Sequence, residues 1–140
     1  MLKWHQGIGL GLFALQVATT AVGQLNYSDK YGSSAPRTAK YEATHAALAF
    51  TNLGVFAVNG TLALLAPTPK NKVKHGFDRV SLHKLGMALA TAGMLAQGAT
   101  GIYTNSREGY LNQEKWAKTH LAIGYATFAA MSVAVGALVF

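Results

Sequence analysis

The chain has 140 residues and a mass of 14.8 kDa, room for one domain. Hydrophobic residues make up 51% and charged residues 12%, about half the charge of a water-soluble domain, which excludes a disordered chain and a surface-rich soluble enzyme. Cysteine is absent, so disulfides and thiolate metal sites are excluded, and the net charge of +7 sits in short clusters between long uncharged runs, a membrane pattern rather than a nucleic-acid-binding one.

The first uncharged run, residues 4–28, exceeds the ~20 residues that cross a bilayer and predicts a helix over about 4–27. Its very short basic start, with His5 and Gln16 inside, sets it apart from a secretory signal. Gly7, Gly9 and Gly11 lack the preceding strand of a dinucleotide loop. A charged connector, 29–42, follows. The run 43–69 predicts a second helix over about 43–66. Connector 70–84 holds Lys70, Lys72, Lys74, His75 and Arg79, which suit a headgroup-facing loop or, more sharply, a docking patch for an anionic donor. The runs 85–106 and 119–140 predict helices over about 81–104 and 117–140, joined by connector 107–118.

The expected fold is therefore an all-α membrane protein: one antiparallel, up-and-down bundle of four transmembrane helices spanning residues 1–140. Gly, Ala and Thr in the spans suit close helix contact in lipid, and the Tyr and Trp residues near their ends suit interfacial belts. Lys and Arg divide six against six between the two faces; the tight Lys70–Lys74 cluster tips the expectation to a cytoplasmic N-terminus.

Four histidines stand out. His5, His45, His83 and His120 each lie near the start of one span, 40, 38 and 37 residues apart. One such His reads as an interfacial side chain; the same placement on every helix reads as a site. In an antiparallel bundle His5 and His83 fall near one face and His45 and His120 near the other, about 20–25 Å away. That separation forbids one shared zinc, and no charge-free run offers a carboxylate for a di-iron site. Two pairs of imidazoles, each supplying both axial nitrogens to a flat b-type haem, fit.

Counted at helical spacing from each His, the polar and small residues follow the same stripe, so that face should point inward. Gly23 and Gly101, and likewise Gly60 and Gly136, should come level with the haem held by the other helix pair. The halves also align: His5 on His83 pairs Gly23 with Gly101 at an offset of 78, and His45 pairs with His120 at 75, as in a two-helix unit used twice.

Ser81-Leu82-His83-Lys84-Leu85-Gly86, Thr119-His120 with Gly124, and Trp4-His5-Gln6-Gly7 resemble core helices of the cytochrome b561 family. The resemblance covers nearly the whole chain and implies a four-helix core with two bis-histidine b haems. Residue by residue, it makes His5 and His83 ligands of one haem, and His45 and His120 ligands of the other. Against the family's six-helix members, the four expected spans correspond to the core alone.

The function expected is transmembrane electron transfer. The alternatives are a haem b anchor subunit exchanging electrons with quinone or quinol, and a cofactor-free four-helix assembly protein. Connectors too short for a catalytic unit imply an external small-molecule donor, ascorbate or quinol, or a docking redox protein. A homodimer or a subunit of a larger redox complex is expected, with membrane lipid and no nucleic acid as surroundings.

Overall fold

Four helices run antiparallel: α1 (Leu2–Tyr31), α2 (Glu42–Leu64), α3 (Arg79–Ser106) and α4 (Gln113–Val139). The computed structural model describes residues 2–32, 37–67 and 76–139. Each helix is long and apolar enough to cross a membrane. The chain is thus an all-helical, multi-pass membrane bundle. Lys70, Lys72, Lys74 and His75 lie outside the described residues, whereas Arg79 is exposed in the first turn of α3.

Helices α1, α3 and α4 extend past the starts of their uncharged runs, because intrahelical hydrogen bonding continues where side chains reach the headgroups, whereas α2 stops at Leu64, inside the run 43–69. Ser28, Asp29 and Lys30 add a turn to α1, which stops at Gly32, whose N–H reaches the Ser28 carbonyl at 2.9 Å. The expectation of carboxylate-free helices is corrected accordingly: Asp29, Glu42 and Glu114 all stand in terminal turns. Asp78 caps α3 by accepting from the Ser81 N–H at 2.7 Å. The turn into α4 carries Gly109 at φ 83°, in the left-handed region that favours glycine.

Burial is inverted relative to a water-soluble protein. Phe50, Leu89 and Leu95 are exposed, while Gln16, Asn52, Asn59 and Thr127 are buried. Lipid solvates the outer Leu and Phe, so polar side chains turn inward to find partners. The apolar centre is Leu12, Phe56, Ala90, Met94 and Met131.

Packing follows the small residues. A Cβ on Gly86 would sit 2.9 Å from the Ala134 Cβ and 3.0 Å from the Ala130 carbonyl, so this glycine permits the close contact of α3 with α4. Helix α1 packs on α2 and on α4, with Phe13 stacked on Phe128 at 6.0 Å. Among the described residues no comparable contact joins α2 to α3. Lys30 ties one end together, reaching Glu42 at 2.7 Å and Glu108 at 3.7 Å.

The two-helix repeat is visible in three dimensions. The offsets of 78 and 75 carry buried Leu12 onto Ala90, Gln16 onto Met94, Asn52 onto Thr127, Phe56 onto Met131 and Asn59 onto Ala134, and every member of these pairs is buried. One half fills its centre with the Asn52–Gln16 hydrogen bond, the other with Met94 and Thr127.

Candidate functional site

The antiparallel order brings the starts of α1 and α3 to one end and those of α2 and α4 to the other, and the histidines meet in the expected pairs. The rings of His5 and His83 have centroids 6.2 Å apart at 83° between planes; those of His45 and His120 are also 6.2 Å apart, at 79°. Among the described residues no three metal-ligating side chains gather, so the imidazoles come in twos.

A metal between two imidazole nitrogens, at about 2.0–2.1 Å from each and with a ring radius of about 1.1 Å, sets the centroids about 6.3 Å apart. A bare edge-on contact between rings covers the wider range of about 4.5–7 Å, and the two-helix repeat gives the two pairs equivalent surroundings.

Three of the four rings have a hydrogen-bonding contact at Nδ1. His5 Nδ1 lies 3.2 Å from the Asn59 carbonyl, and His83 Nδ1 lies 2.8 Å from the Ala134 carbonyl. These are equivalent contacts under the repeat, since offset 75 carries Asn59 onto Ala134. His120 Nδ1 is 3.1 Å from Thr100 Oγ1, and the His120 carbonyl accepts from Gln97 Nε2. His45 Nδ1 is buried and, among the described residues, has no hydrogen bond; the Thr19 carbonyl faces its ring without bonding geometry. A ring that donates from Nδ1 keeps its Nε2 lone pair for a metal.

Glycines make room for two of the rings. A Cβ on Gly23 would stand 2.8 Å from His45 Cε1, and one on Gly101 would stand 3.1 Å from His120 Cε1. Both glycines therefore lie level with the His45–His120 pair, against the imidazoles themselves. At the other end Gly60 and Gly136 face open space, with nothing within 4 Å of an added Cβ. Gly60 directly follows Asn59 and Gly136 stands two residues after Ala134, the residues whose carbonyls face His5 and His83.

A cavity of about 450 Å³ opens at the His45–His120 pair, in the seam between α2 and α3. Apolar walls predominate, with Gln16, Asn52 and Gln97 at its inner end and Lys30 and Glu42 at its mouth. Residues of all four helices line it. The Asn52 and Asn26 side-chain oxygens on its wall are buried, with no hydrogen bond among the described residues.

Two features escape a sequence reading. The carbonyls of Asn59 and Ala134 belong to the backbone, which no side-chain pattern reports. Thr100 lies about 100° around α3 from the His83 direction, so a stripe counted from His83 passes it by. Only its place one residue before Gly101 could have marked it. No family model, no curated protein and no solved structure matches this chain.

Proposed function

We propose that this chain carries electrons across a membrane through two b-type haems, one held by His5 and His83 and the other by His45 and His120. The observation that carries this reading is the repeated 6.2 Å centroid separation in two histidine pairs at opposite ends of the bundle. The donor set fits haem: two imidazoles per site, a cavity at the His45–His120 pair, and glycines beside those two imidazoles.

Bound between two such imidazoles, haem iron supplies a one-electron couple. The chain's residues do the rest. His5 with His83, and His45 with His120, would hold the two groups, and a pair of imidazole ligands would suit electron transfer. The Asn59 and Ala134 carbonyls and Thr100 fix ring orientation and tautomer. Leu12, Phe56, Met94 and Met131 pack together in the centre of the bundle.

The partner proposed is a small reductant, ascorbate or quinol, or a redox protein reaching one face, and the two small donors are separated by direct reduction assays. The ligand assignment is tested with His83→Ala and His120→Ala. Each should halve the haem content of the purified protein and remove a different spectral component. Full haem content in both variants would overturn the assignment.

A further inference from the structure

The offsets of 78 and 75 carry the α1–α4 contact onto the α2–α3 seam, so the two sides of the bundle should match. They do not. The α1–α4 side is closed by the Phe13–Phe128 stack, with centroids 6.0 Å apart, and by the Tyr125 hydroxyl, which donates to Gln24 Oε1 at 2.7 Å. The counterparts of these pairs on the other side are Thr91 with Leu53, and Ile102 with Phe50. A threonine has no ring to stack, and neither Ile102 nor Phe50 has a polar side-chain atom to share.

Thr91 is exposed and spends its hydroxyl on its own helix, donating to the Met87 carbonyl at 2.8 Å. Phe50 is 66% exposed and Ile102 is 62% exposed, yet both line the cavity at the His45–His120 pair. They form its lateral rim. Both stand in charge-free runs, 43–69 and 85–106, that match the hydrocarbon of a bilayer. Lys30, paired with Glu42 and Glu108, occupies the polar mouth instead. Further in, α2 and α3 come closer, since a Cβ on Gly98 would stand 3.8 Å from Leu53 Cδ2. Met94 lies on the cavity wall and is only 5% exposed.

We infer that the α2–α3 seam is a lateral portal through which an apolar molecule dissolved in the bilayer enters the cavity, with Phe50 and Ile102 as its rim. Such a molecule reaches the rim without leaving hydrocarbon, whereas a charged one would first have to shed its water. Entry by this route does not depend on the haem reading, because the rim selects by polarity and size before anything meets the imidazoles.

The test is photolabelling with a phenyldiazirine, an apolar carbene precursor that dissolves in bilayers. The full chain is purified from haem-starved cells, embedded in lipid discs, irradiated and mapped by peptide mass spectrometry. Met94 should be labelled together with the outward-facing Val58 and Leu89. Phe50→Tyr with Ile102→Gln rebuilds the Tyr125–Gln24 bond across the seam. This double variant should lose most of the label at Met94 and keep it at Val58 and Leu89. Thr91→Phe adds a ring at the exposed position that the repeat sets opposite Leu53, and should act the same way without a new polar group. An unlabelled Met94 in the wild-type chain would overturn the portal, as would Met94 labelling that both variants leave undiminished. A chain labelled at Met94 that takes up no haem from haem-supplied cells would overturn the haem reading and leave the portal standing.

Discussion

Gly23→Ala and Gly101→Ala add the same methyl group at positions equivalent under the repeat, yet the structure assigns them different outcomes. Carbon atoms settle at about 3.5 Å. The new methyl at Gly23 would stand 2.8 Å from His45 Cε1, so that ring must retreat by about 0.7 Å. At Gly101 the distance is 3.1 Å, and the His120 ring must retreat by about 0.4 Å. A ligand set tolerates misplacement of about 0.5 Å, which falls between the two. Overpacking costs about 1–3 kcal/mol, partly offset by about 0.5–1 kcal/mol from replacing a helical glycine, so both variants should stay folded. Gly23→Ala should therefore lose most of the haem at His45–His120 and keep the haem at His5–His83. Gly101→Ala should keep both, with a shifted spectrum at the first. Haem content per chain, alongside the reduced spectrum, reads the outcome. Equal losses, or loss at the His5–His83 site, would refute the reasoning.

Other substitutions probe separate parts of the account. Gly60→Leu enters open space and should leave thermal stability in detergent unchanged while lowering haem at His5–His83; an undiminished haem content would remove Gly60 from the cradle. Gln16→Met strands Asn52, whose amide donates to Gln16 Oε1, and should cost about 1–2 kcal/mol in thermal unfolding. Adding Asn52→Thr reproduces the Met94–Thr127 arrangement of the other half and should recover most of that loss; a double variant weaker than Gln16→Met alone would contradict the repeat. Asp29 accepts from Thr38 Oγ1 at 2.7 Å and the Lys40 N–H at 3.2 Å, so Asp29→Ala should speed tryptic cleavage after Arg37 and Lys40. An unchanged cleavage rate would mean that this connector is held by something else.

The fold was legible because lipid imposes simple rules: charge-free runs of sufficient length become spans, and short connectors make neighbours antiparallel. Histidine pairing followed from those rules alone, since equal placement on each helix and alternating direction leave one arrangement. Helix ends were less legible. Asp29, Glu42 and Glu114 belong to helices whose backbones outlast the apolar stretch, and charge counting stops short of them. The levels of Gly23 and Gly101 were readable, but their contact with the imidazole rings was not, because rotamers decide it. The seam between α2 and α3 had no sequence signal either, since both helices show small residues on several faces.

The central claim is tested most directly by purifying the chain from haem-supplied cells in mild detergent and quantifying haem together with the reduced-minus-oxidised spectrum. The account predicts two b-type haems per chain with the spectrum of bis-imidazole iron. A folded four-helix protein that carries no haem under those conditions would contradict it.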